Sequence, residues 1–149
     1  MYKRQAGGIA QNLQLGDGEF NQLFRVDAGI PFKLGNVNAY SNFYAGYNNR
    51  TNGFSDEIRF GGEVGLGFLE EKLWIVGKTD VSRSTFNGNT AEMPTTSVFA
   101  NNAEFVAVTG EINYEIVENF GISASYSSAV SGRIIYAAPS YSFGVFFTF

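Results

Sequence analysis

The chain of 149 residues contains no cysteine and no histidine. Without cysteine there is neither a disulfide framework nor a thiolate metal site. Without histidine the commonest general base and the commonest metal ligand are both missing. The reading therefore turns away from an enzyme, and no metal or cofactor is expected. Proline is scarce, at 3 residues. Charged residues make up 16 % of the chain, against about 25 % for an average soluble domain. The formal net charge of −4 lacks the basic footprint that nucleic acid requires. No run of about 18 apolar residues occurs, so no membrane-spanning helix is expected.

Glycine, phenylalanine and tyrosine are abundant instead, at 18, 15 and 8 residues. Helical periodicity is nearly absent, whereas alternation with period two recurs along almost the whole chain. It predicts strands at 20–30, 37–47, 57–68, 72–83, 104–116, 120–130 and 139–149. Most of these are longer than the usual globular strand of about 5–6 residues and near the 9–11 that a tilted strand needs to cross a bilayer. The links alternate in length. Short ones pass through Pro31, Lys33 and Gly35, through Leu69-Glu70-Glu71, and through Val117-Glu118-Asn119. Long ones span 48–55, 84–103 and 129–138. Short turns at one end and long loops at the other are the layout of an antiparallel up-and-down transmembrane β-barrel.

The two faces of each predicted strand differ. Ile58, Phe60, Val64, Leu66 and Phe68 oppose Glu57, Arg59, Glu63 and three glycines. Val106, Val108, Ile112, Tyr114 and Ile116 oppose Phe105, Ala107, Thr109, Glu111 and Asn113. A lipocalin-like soluble barrel would turn the apolar face inward and coat the other with Lys and Glu. The polar face here is mainly Gly, Ser, Asn and Thr, which suits a crowded lumen. The membrane barrel is therefore the expectation, with aromatic residues near both strand ends as two girdles.

The chain's last nine residues place Tyr141, Phe143, Val145, Phe147 and Phe149 on one parity. This run resembles the closing strand of bacterial outer-membrane barrels. The resemblance implies location in the bacterial outer membrane. It also implies that these five residues are the signal read by the barrel assembly machinery and that the strands face outer-membrane lipids. The stretch 63–80, with Leu73-Trp74-Ile75-Val76-Gly77-Lys78, and the closing Ala137-Ala138-Pro139-Ser140-Tyr141 look like the last strands of the FadL-like and phenol-degradation-type transporters. That second resemblance implies passive uptake of small or hydrophobic solutes; the FadL N-terminal plug has no counterpart in this sequence.

An odd number of strands does not fit a bacterial barrel, in which the number is even. Residues 1–5 carry basic residues without a following apolar segment, so they are read as foreign or disordered. Residues 6–149 are then one domain, the C-terminal section of a larger barrel. The alternative is an eighth strand at 8–15, turning at Gly16-Asp17-Gly18. That gives a complete eight-stranded barrel of OmpA/OmpX type, with a structural or adhesive role through the 84–103 loop.

The charges expected inside are Arg25, Asp27, Glu57, Arg59, Glu63, Lys78, Asp80 and Glu111. A tight turn at Glu70-Glu71 sets Glu63 opposite Lys78 and Arg59 diagonal to Asp80. The expectation is a lumen charge cluster formed by Arg25, Asp27, Arg59, Glu63, Lys78, Asp80 and Glu111. It either neutralises itself as a structural network or lines a path that selects solutes.

Overall fold

The computed structural model describes residues 20–89, 101–135 and 138–148. They form a single antiparallel sheet of seven strands in sequence order, and no helix occurs among them. The strands are β1 (Asn21–Leu34), β2 (Val37–Arg50), β3 (Glu57–Phe68), β4 (Leu73–Ser84), β5 (Glu104–Val117), β6 (Phe120–Arg133) and β7 (Ser140–Phe147). The expected eighth strand at 8–15, the segment 1–5, much of the 84–103 loop and Phe149 lie outside the described residues.

All seven expected strands form, and their differences in length have physical reasons. β1 continues through Pro31 and Lys33, which the sequence places in the turn, and stops only at Leu34. Proline cannot donate to a ladder, but β1 pairs on one side only, so the missing N–H is tolerated at the edge. The turn shrinks to Gly35-Asn36, where Gly35 takes a φ of +60° that glycine adopts without penalty. β6 runs on to Arg133 through a bulge: its register with β5 passes from Ala107↔Ala129 to Val106↔Ser131, leaving Val130 unpaired. The β3–β4 hairpin pairs Glu63 with Lys78, the register expected from the Glu70-Glu71 turn.

Each strand meets only its sequence neighbours, so β1 and β7 are free edges of the described sheet. Both run from the long-loop end to the short-turn end and are parallel to each other.

Register sorts the side chains into two sheet faces. One carries Phe24, Val26 and Ile30 from β1, Phe43 from β2, and Ile58, Phe60 and Val64 from β3. It continues with Ile75, Val108, Ile112, Ile122, Phe143 and Val145. All of these are exposed, Phe143 to 85 %. The only buried apolar side chains among the described residues are Ala39, Phe54, Val76 and Val81. An open single sheet does not enclose a core, and among the described residues no protein layer lies against the apolar face.

Candidate polar face and loop-end cleft

Along β5 the usual order of exposure is reversed. Val108, Ile112 and Tyr114 are exposed, whereas Thr109, Glu111 and Asn113 between them are half-buried. Ile112 is 51 % exposed and the Glu111 side chain 25 %. The polar side chains shelter one another because they reach across strands. Lys78 Nζ lies 2.9 Å from Glu111 Oε2 on β5 and 3.8 Å from Glu63 Oε2 on β3. Glu111 Oε1 accepts from Asn113 Nδ2 at 2.9 Å, and the Thr109 hydroxyl donates to Ser127 Oγ at 2.8 Å.

Glycines on this face make room for rings. A Cβ on Gly65 would meet the Tyr40 ring at 2.2 Å, and one on Gly67 would meet Trp74 at 2.9 Å. Tyr44 crosses from β2 over Gly61 on β3 and donates its hydroxyl to Asp80 on β4. The Arg25 guanidinium stacks on the other side of Tyr44, 3.8 Å from the ring centroid, and is chelated by Asp27.

The seven charges expected in one cluster therefore fall into three groups. Arg25, Asp27 and Asp80 are linked through Tyr44. Glu63, Lys78 and Glu111 form a three-strand ion-pair chain. Arg59 does not reach Asp80 but turns along its own strand to Glu57, with Nη2 2.8 Å from Oε2. Of the five terminal residues, Tyr141, Phe143, Val145 and Phe147 alternate on the exposed apolar face of β7. Phe149 lies outside the described residues.

Sequence reading missed the tightest part of the molecule, at the long-loop end. Asp56 accepts from the Tyr47 hydroxyl at 2.6 Å, from Asn87 Nδ2 at 2.6 Å and from the Arg50 backbone N–H at 2.8 Å. These bonds, led by the Tyr47 hydroxyl, hold its carboxyl below the usual carboxylate range. Asn101, wholly buried, accepts from the backbone N–H of Ser55 at 2.9 Å. The loop after β2 is thus bound to the loop after β4. Asparagines in a loop read as generic turn formers, so only the fold shows that these converge.

Beside this lock a cleft of about 310 Å³ opens on the polar face, lined by Asn21, Leu23, Asn48, Arg50, Glu57 and Arg59. A second hollow, of about 320 Å³, lies at the short-turn end between Tyr40, Trp74 and Phe146. Among the described residues no group of three or more acidic side chains is placed to hold a metal ion. No protein-family model matches the chain, and neither do any curated proteins or solved structures.

Proposed function

We propose that the chain forms part of a bacterial outer-membrane β-barrel through which small or hydrophobic solutes pass by diffusion. The observation that carries the reading is the reversed exposure on β5, with large apolar side chains exposed on the same face of every described strand. In water a face of this kind demands a second protein layer. In a bilayer the acyl chains serve as that layer. β1 to β6 have 12 to 14 residues each, more than the about 9–11 a tilted strand needs to cross. On the apolar face Phe120 packs on Phe147 and Tyr126 on Tyr141, each at 5.3 Å between centroids. The two pairs stand six residues apart on β6, about 20 Å at the usual strand rise, which suits two girdles bordering a hydrocarbon band.

On this reading lipids cover the apolar face, and the assembly machinery reads the β7 residues together with Phe149. The solute moves along the polar face past Lys78 and its two carboxylates. Because β1 and β7 run the same way, an all-antiparallel barrel needs an odd number of further strands between them, whichever chain supplies them.

Reconstitution into lipid vesicles tests the reading. The chain is expected to float with the vesicles, to migrate differently on a gel before and after heating, and to support swelling in solute solutions. A chain that stays in the aqueous phase overturns it. One observation, the bound loops around Asp56, favours a structural or adhesive role instead. Insertion without any swelling selects that second reading.

A further inference from the structure

We infer that Tyr126 and Tyr141 form an oxidative modification site, at which a one-electron oxidant joins the two rings into dityrosine and ties β7 covalently to β6. The inference goes beyond the transport reading and does not rest on it, because it needs only the β6–β7 pairing.

Coupling needs two phenol rings in contact and open to the oxidant. Tyr126 and Tyr141 stand directly opposite each other in the β6–β7 register. The ladder's phase brings them close. The Thr148 N–H donates to the Asn119 carbonyl at 3.1 Å, so that pair is a hydrogen-bonded one. Bonded and non-bonded pairs alternate along an antiparallel ladder, which makes Tyr126 and Tyr141 a non-bonded pair. Side chains approach most closely at such pairs. The ring centroids lie 5.3 Å apart, with the planes tilted by 57°. Tyr126 is 46 % exposed and Tyr141 68 %, so a small oxidant reaches both.

The chemistry balances with a peroxide as the terminal oxidant. A haem peroxidase removes one electron and one proton from each phenol. The two phenoxyl radicals join through a new bond between the ring carbons beside their hydroxyls. The hydrogens displaced from those carbons move to the oxygens and restore both phenols. In sum the protein loses two hydrogen atoms, and hydrogen peroxide becomes two waters. The fold restricts the reaction to this pair, since no other described tyrosines have their rings in contact. Tyr40 packs on Trp74, Tyr44 lies against the Arg25 guanidinium, and Tyr47 donates to Asp56. Tyr114 is exposed on the same apolar face, but no described tyrosine ring lies against it.

The cross-link falls where the sheet is least secured. β7 has eight residues, the fewest of the seven strands, and pairs on one side only. Tyr141 is its second residue, next to the long link from β6. A bond between Tyr141 and Tyr126 closes a loop through that link, and so restricts the unfolded chain as a disulfide does.

Treatment of the folded full chain, dilute in detergent, with a haem peroxidase and hydrogen peroxide tests the assignment. The monomer band is expected to gain dityrosine fluorescence and to lose the mass of two hydrogen atoms. Digestion is expected to yield one linked peptide pair that contains both residues. Tyr126→Phe and Tyr141→Phe each remove a single hydroxyl and keep the ring, and each is expected to abolish the product within the chain. Tyr114→Phe is expected to leave it unchanged. Circular dichroism reports that the sheet has formed in every variant. In urea, where the register is lost, the yield within the chain is expected to fall. The cross-linked protein is expected to exchange its β7 amide hydrogens about tenfold or more slowly than the untreated one. Dityrosine found only between chains overturns the site. So does a product that survives either Phe substitution at 126 or 141, or an equal yield in urea, the result expected if chance encounters join the rings.

Discussion

Tyr44 on β2 hydrogen-bonds Asp80 on β4 across the bare backbone of Gly61 on the strand between them. The bond skips a strand, and it forms only because no side chain rises from β3 at that point. A Cβ on Gly61 would stand 2.2 Å from the Thr79 carbonyl oxygen and 2.7 Å from the Tyr44 ring. Gly61→Ala is therefore expected to destabilise the protein by about 1–3 kcal/mol, the usual cost of overpacking. Gly77→Ala, where a Cβ meets nothing within 4 Å, serves as the control and is expected to stay within about 0.5 kcal/mol of the parent. Urea unfolding of the parent and the two variants measures both.

Lys78 holds two carboxylates that face each other across it. Lys78→Met is expected to cost about 1 kcal/mol, a modest figure because all three side chains are a quarter to a third exposed. Adding Glu111→Gln is expected to restore most of the loss, since the repulsion between Glu63 and Glu111 then disappears. A double-mutant cycle on urea midpoints reads the coupling. Equal losses in the single and double variants would show that Lys78 acts through packing alone.

The β3–β4 turn holds Leu69, Glu70 and Glu71 at φ of 53°, 58° and 69°. Each left-handed L-residue costs about 1–2 kcal/mol relative to a right-handed conformation. Glu70→Gly is expected to stabilise by about 0.5–1 kcal/mol after the extra freedom of an unfolded glycine is subtracted. Glu71 is the poorer choice for this change, because its carboxylate accepts from Asn38. A fall in the urea midpoint of the Glu70→Gly protein would refute the strain argument.

Asp56 gives the loop-end lock a pH dependence. Its carboxyl is held below the usual range in the folded protein, so the folded state binds its proton less readily than the unfolded state does. The stabilisation is complete above the ordinary aspartate pKa of about 3.9 and is lost as pH falls through the lower folded value. Melting curves from neutral pH downward are expected to show a steeper acid loss in the parent than in Asp56→Asn. Parallel curves would exclude Asp56 as the titrating group.

The sheet was legible in the sequence because strand periodicity is a local property. Glu57 to Phe68 alternates so regularly that its register with 73–84 follows from one turn, and Glu63 does face Lys78. The extension of β1 through Pro31 was not legible, since it depends on β1 lying at an edge, a fact of topology. Contacts that jump a strand escaped for the same reason. Nothing local to Tyr44 points to Asp80, and Arg59 prefers Glu57, two residues away on its own strand, to a diagonal partner. The cleft was hidden by Arg50 and Asn48. In the sequence they read as the start of an asparagine-rich loop, and in the fold they are the last turns of a strand pleat.

Within the described sheet β1 and β7 each pair on one side only, and both point the same way. Every idle N–H and C=O along them would cost several kcal/mol in hydrocarbon, where no water can answer it. Under the proposed barrel reading, the apolar face would call for immersion while these raw hems would forbid it. The seam would then have to be sewn, or shielded by a surrogate partner, before or during entry into a bilayer.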